Sequence, residues 1–129
     1  MPLTTEPVLG IDLGTTFSTA ALVVNGKFHY ANDERGEACV PSVVHFPRSG
    51  PPIVGAEADK LRVVDPENTI WAIKRVLGRP LDSPQARRLQ AAAVFKLVGN
   101  GRDEVKVRTR TGDYAAGEIA AIIMRNLKE

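Results

Sequence analysis

The 129-residue sequence predicts a mixed α/β domain of the α+β kind, an antiparallel β-meander followed by a smaller set of strands and helices. Three observations predict it. Apolar runs at 8–13, 18–24 and 27–31 are too short for helices and are punctuated by Gly14 and by Asn25-Gly26. Asn25-Gly26 is the strongest two-residue hairpin signal, because a type I′ turn needs positive φ at both central positions. Apolar residues at helical spacing begin only later, at 56–64, 69–77, 84–92 and 116–127.

Composition narrows the function classes. Aromatic residues make up 5% of the chain, so the core must be mainly aliphatic. Lys and Arg number 17 against 15 Asp and Glu, a net charge of +2, too weak a balance to point to nucleic acid. The single Cys39 excludes an internal disulfide and fits a reducing compartment, so a cytoplasmic location is expected. It has no His–Asp context and reads as a small buried or loop residue. No apolar run approaches the roughly 20 residues of a membrane-spanning helix. Residues 1–7 lack the basic and apolar regions of a signal peptide.

The elements follow in order. The opening is a three-stranded meander with a turn at 14–17 at one end and Asn25-Gly26 at the other. Residues 32–38 read as a charged loop. Val40 is extended before Pro41, and 42–46 is a short strand. A Pro/Gly loop leads to strand Ile53-Val54, then to a helix over 56–64 with Ala58, Leu61 and Val64 on one side, stopped by Asp65-Pro66. Asn68 is the expected N-cap of a helix over 69–77, with Ile70, Ile73 and Leu77 at helical spacing and Gly78 as the stop. Ser83 caps the next helix, with Pro84 at the permitted first position. Strands at 95–98 and 105–109 flank the hairpin signal Asn100-Gly101, and Thr111-Gly112 allows one more turn. The last helix, 116–127, carries the stripe Ile119, Ile122, Ile123 and Leu127.

The chemistry concentrates at 8–18. A carboxylate is costly to bury alone, so Asp12 belongs where its strand meets solvent, a metal or a ligand. Gly14 lets the chain turn where a Cβ would clash. Thr15 and Thr16 supply two hydroxyls and successive N–H groups, the concave donor set that suits an anion. This is the chemistry of a phosphate–Mg²⁺ cradle, and equally that of an ordinary hairpin turn with hydroxyl caps. Lys74 sits at the border of an apolar face. It reads either as a lysine that lays its stem on Trp71 with its ammonium in water, or as an ammonium delivered into a cleft. Lys106, Arg108 and Arg110 form a basic row that could contact phosphates or simply be the solvated face of a sheet. His29 and His45 lie on different strands, no residues have metal-ligand spacing, and no P-loop sequence is present.

Gly10-Ile11-Asp12-Leu13-Gly14-Thr15-Thr16-Phe17-Ser18 resembles the first phosphate motif of the actin/hexokinase/chaperone ATPase superfamily. Val40-Pro41-Ser42-Val43-Val44, Val54-Gly55 and the block from Asn68-Thr69 through Lys74-Arg75 to Gly78-Arg79 resemble the heat-shock protein 70 (DnaK) family in order and spacing. The likeness continues through Phe95-Lys96 to the final helix. It implies the first part of an actin-like, ribonuclease H-like ATPase lobe. In that lobe 7–31 and 115–129 are core elements and 32–114 is an inserted α+β subdomain.

The resemblance also implies roles. Gly14, Thr15, Thr16 and Phe17 form the first phosphate loop, and Phe17 stands where the family varies. Asp12 holds Mg²⁺ through water, Lys74 is the catalytic lysine at the γ-phosphate and the attacking water, and Arg75 lines the nucleotide cleft. ATP or ADP with Mg²⁺ is the expected cofactor of the complete domain. The second phosphate motif, the adenosine segment, the remaining acidic Mg²⁺ groups and the peptide-binding domain do not appear. The chain is therefore expected to be the N-terminal piece of a longer chaperone, inactive and without nucleotide when alone, and able to self-associate through its meander or an exchanged helix. Its partners would be the rest of the ATPase domain and the peptide-binding domain. For the parent they would be unfolded client peptides, a J-domain co-chaperone and a nucleotide exchange factor. The competing readings are a small-molecule kinase of the same superfold and a non-enzymatic interaction module.

Overall fold

β1 (Val8–Leu13) and β2 (Phe17–Val24) run antiparallel, with Leu13 opposite Ser18 across the turn at 14–17. The computed structural model describes residues 8–24, 27–30, 39–100 and 102–128. β3 (Lys27–Tyr30) returns along β2 with Val24 opposite Lys27, which completes the expected meander. The Asn25-Gly26 turn, the 32–38 loop and Gly101 lie outside the described residues. β4 (Cys39–Pro41) continues on the same edge of β2, with Phe17 opposite Pro41 and Thr19 opposite Cys39. Cys39 is exposed on this strand, neither buried nor in a loop.

At Ser42 the chain leaves the first sheet and enters a second. There β5 (Val43–His45) is the centre strand between β6 (Ile53–Val54) and β7 (Thr69–Trp71). All of β5 is buried, as a central strand covered on both faces should be. Between β6 and β7 come α1 (Ala56–Val64) and a 3-10 turn, Pro66–Asn68. Ala58 is fully buried beneath α1, but Val64 is 76% exposed, so the helix turns only part of the expected face inward.

The expected helix over 69–77 does not form. Thr69, Ile70 and Trp71 are a strand, with Val44 opposite Ile70. Ala72 then takes the left-handed conformation, φ 56°, and Ile73–Val76 is a 3-10 helix. β-branched Thr69 and Ile70 suit a pleated strand. The Ile73–Val76 spacing of three is the natural repeat of a 3-10 turn. The apparent helical period of Ile70, Ile73 and Leu77 was thus assembled from two different elements. Asn68 caps no helix. Its Nδ2 donates to Asp65 Oδ1 at 3.1 Å, and its Oδ1 accepts from the Arg110 amide at 2.8 Å.

α2 (Pro84–Ala92) starts where expected, with the Ser83 hydroxyl accepting from the Ala86 amide at 3.1 Å. A third sheet follows in the order β10 (Gly112–Ala115), β9 (Lys106–Thr109), β8 (Lys96–Val98). Val98 pairs with Lys106, so the connection spans 99–105 and not a two-residue turn. The Asn100 side chain organises that loop, accepting from the Arg102 and Asp103 amides at 3.0 Å each.

α3 (Ala116–Lys128) packs against β1, β2, β5 and the Ile73–Val76 turn. Ile119, Ile123 and Leu127 are buried, and Ile122 is half-buried at the core edge. One largely aliphatic core joins β4, β5, β7, α2, β9 and α3, with Ile11 and Leu13 packed on it. Two aromatic pairs contribute: Phe46 stacked on Tyr114 at 4.7 Å, and Trp71 edge-on to Phe95 at 5.6 Å.

Candidate phosphate-binding site

The turn between β1 and β2 is as tight as its glycine requires. A Cβ added at Gly14 would stand 2.2 Å from the Phe17 carbonyl oxygen, closer than any side chain can be accommodated. The turn is braced from the sheet junction. The Ser42 amide donates to Thr16 O at 2.8 Å, and the Ser42 hydroxyl donates to Gly14 O at 2.9 Å. Ser42 Oγ also lies 2.7 Å from Ser18 Oγ, both side chains being buried. The backbone of the turn is therefore held at both ends by one residue. Thr15, Thr16 and Phe17 remain at its tip, and Phe17 is 54% exposed.

The opposite wall comes from the segment after β7. Ala72 in the left-handed region redirects the chain, an arrangement that costs about 1–2 kcal/mol for a residue with a Cβ. The Arg75 amide then bonds Ala72 O at 3.1 Å. Strain of this kind persists only where the surroundings over-determine it. Here Ala72, Ile73 and Val76 are all buried. A second brace fixes the far end of the 3-10 turn. The Glu104 carboxylate accepts from the Gly78 amide and, at 2.9 Å, from the Gly117 amide in the first turn of α3, where negative charge is favoured.

Between these walls lies a cavity of about 270 Å³. Thr15, Thr16 and Phe17 stand on one side, Trp71, Ala72 and Arg75 on the other, with Asp59 and Arg62 of α1 closing the flank. The Arg62 guanidinium lies 4.6 Å from the Trp71 ring centroid and contacts Asp59 Oδ1 at 3.3 Å. The cation over Trp71 is thus Arg62. A larger cavity of about 440 Å³, between Pro51, Pro52 and α3, contains none of the predicted site residues.

The structure brings Thr15, Thr16, Phe17 and Arg75 to one cavity, with Gly14 forming the turn behind them. Lys74 is exposed on the same 3-10 turn, next to Arg75, and is not among the residues that line this cavity. Asp12 pairs through its backbone with Thr19, and its side chain lies outside what the structure describes. Sequence reasoning missed Ser18 and Ser42 as braces, Ala72 as the redirecting residue, and Arg62 with Asp59 as the flank. Ser42 carried a signal, a hydroxyl directly after Pro41 at the end of an extended run. Ala72 carried none, because alanine is not a residue of left-handed turns.

Part of the basic row is engaged within the domain. Arg108 grips Asp113 with two contacts, Nε–Oδ1 3.1 Å and Nη2–Oδ2 3.3 Å. The hydrogen bond to Asp113 raises the Arg108 pKa, and the same bond lowers that of Asp113. Arg110 pairs with Asp65. Two of the three residues in the basic row are therefore tied down within the domain. Among the described residues no group of three His, Cys, Asp or Glu could hold a metal ion. Among them no helix is long and apolar enough to cross a membrane.

A family model described as Hsp70 protein matches residues 8–129, from the first strand through both cavity walls to the last helix. The match sets aside the small-molecule kinase reading, which rested on the first turn alone. The braced glycine turn, the left-handed Ala72 and the final helix packed behind them all lie within the matched residues, and the chain is a member of the Hsp70 family, covering the N-terminal part of its ATPase domain.

Proposed function

We propose that this chain supplies the first phosphate loop and a catalytic lysine to a chaperone ATPase, whose cycle of ATP binding and hydrolysis drives opening and closing between two lobes. The observation that carries the proposal is the Gly14 turn, braced by Ser42, with Thr15, Thr16 and Arg75 around one cavity. These residues fit a phosphate group. A Cβ at position 14 would close the turn, while the two threonines and a guanidinium offer donors to anionic oxygens. The Hsp70 family binds nucleotide with Mg²⁺ in its full domain. Asp12 would hold that ion through water, and the chemistry supplied would be neutralisation of polyphosphate charge.

This chain's residues would act by placement and charge. Thr15 and Thr16 would fix the phosphate oxygens through N–H and hydroxyl donors. Arg75 would bind the polyphosphate from the opposite wall. Lys74, one residue before it, would place its ammonium where negative charge grows as water attacks, orienting that water as it does so. Catalysis of this kind needs charge on several sides at once, so the chain alone would not turn over ATP. In the domain division we favour, 7–31 and 115–129 form the core and 32–114 the inserted subdomain, a reading supported by the packing of α3 on β1 and β2. Client peptides, a J-domain co-chaperone and an exchange factor would be partners of the whole chaperone, acting in the cytoplasm.

Single-turnover hydrolysis in the full-length gene product tests the reading. Lys74→Ala is expected to slow the chemical step by about a hundredfold or more, the usual scale for loss of a preorganised charge. ATP affinity is expected to fall far less, because many groups hold the nucleotide. Turnover near wild type would remove Lys74 from the reaction.

A further inference from the structure

We propose that Arg62 is an additional phosphate-oxyanion contact of the Thr15–Thr16 cavity, aligned by Trp71 and restrained by Asp59 until an anion enters. The inference rests on the phosphate reading of that cavity and adds a residue outside the motifs that suggested it. Arg62 stands in the last turn of α1, far in sequence from the first turn, yet it lines the cavity with Thr15, Thr16 and Arg75. Its guanidinium is held over the Trp71 ring at 4.6 Å. Stacking removes much of the rotational freedom that a long side chain would otherwise lose on binding.

Among the described residues Asp59 is the only carboxylate lining this cavity, and its contact with Arg62 is a single bond of 3.3 Å between half-exposed groups. A guanidinium has five N–H donors, and Arg62 makes no other hydrogen bond within the described residues. Among the described lining residues, two guanidiniums against one carboxylate give an excess of positive charge. At about 270 Å³ it lies just below the roughly 300–1,000 Å³ of pockets that enclose drug-sized ligands, so the group it takes is small. A terminal phosphate, with three oxygens for two guanidiniums, fits that size and charge. Asp59 then serves as a tethered competitor that the phosphate displaces, while Trp71 keeps the guanidinium plane in place.

The test is an NMR titration of the chain with sodium tripolyphosphate, without Mg²⁺ and at ionic strength held constant with NaCl. The reporters are the Thr15, Thr16 and Ser42 amides and the indole N–H of Trp71, the only tryptophan of the sequence. Wild type is expected to show weak saturable shifts at all four. Arg62→Gln is expected to raise the dissociation constant by about 3- to 10-fold, as loss of a charge-assisted contact does. Asp59→Asn, which frees Arg62, is expected to lower it by about 2- to 3-fold. A purely structural role for the pair would not move the two variants in opposite directions. If Arg62→Gln titrates as wild type while Arg75→Ala loses the response, the inference falls and the phosphate reading stands. If wild type shows no saturable shift at Thr15 and Thr16, both fall.

Discussion

Ser18 Oγ and Ser42 Oγ lie 2.7 Å apart where the first sheet hands the chain to the second, and their hydrogen bond has a direction. The single Ser42 hydroxyl proton is spent on Gly14 O at 2.9 Å. Ser18 must therefore donate to Ser42. Ser42 is the relay between a fully buried hydroxyl and the carbonyl that starts the phosphate turn.

That direction predicts unequal costs. Ser42→Ala orphans the buried Ser18 donor and the Gly14 carbonyl together, whereas Ser18→Ala leaves only a lone pair on Ser42 unmet. We expect about 2 kcal/mol of lost stability for Ser42→Ala and about 1 kcal/mol for Ser18→Ala. For a domain of this size each kcal/mol lowers Tm by about 3–6 °C. The double variant should cost less than the sum, because the two changes share one bond. Thermal melts of the three variants check the order, and equal or reversed single costs would refute the direction assigned.

The turn itself predicts a contrast between two glycines. At Gly14 an added Cβ would meet Phe17 O at 2.2 Å, a backbone atom that cannot swing aside. At Gly99 it would sit 3.4 Å from the Leu81 Cβ, an ordinary contact. Gly14→Ala should cost about 1–3 kcal/mol, the range of overpacking, and should shift the Ser42 amide resonance as the brace is displaced. Gly99→Ala should stay within about 1 kcal/mol of wild type. Comparable melts for the two would show that the turn tolerates a side chain.

His45 predicts the pH dependence. Its Nδ1 lies 2.9 Å from Thr69 Oγ1, whose own proton goes to Asp65 O at 2.7 Å, so Nδ1 carries the hydrogen. Nε2 then faces Asp65 Oδ2 at 3.9 Å, the carboxylate that also pairs with Arg110. Burial pushes the imidazole below its ordinary value of 6.5. Asp65 opposes that shift and Arg110 adds to it. A histidine depressed in the folded state contributes stability that is complete above the unfolded pKa and lost as pH falls through the folded one. Urea unfolding should therefore show wild type weakening below about pH 6.5. His45→Gln should lose that part of the slope while keeping the later fall from carboxylates. Parallel profiles would remove His45 as the cause.

Local physics made much of the chain legible in advance. The first turn needs a glycine because Phe17 O occupies the Cβ position, and two threonines after it announce donors. α2 starts at Ser83-Pro84 because a hydroxyl cap and a first-turn proline act within four residues. The alternation of Val105 and Val107 with Lys106 and Arg108 sets two faces of a sheet without reference to anything else. Each of these signals acts between near neighbours, so the sequence by itself determined them.

Tertiary structure decided the rest. Residues 69–77 had the apolar spacing of a helix, yet pairing of Thr69–Trp71 with β5 made a strand, and burial of Ala72 and Ile73 held a left-handed alanine against its own preference. The free energy for that comes from strand pairing and core packing, terms between residues some 25 positions apart that no window on the sequence contains. The same holds for the cavity. Arg62, Trp71, Arg75 and Thr16 meet there because α1, β7 and the first turn converge on it. A guanidinium over an indole is a relation of position, created only when the elements pack.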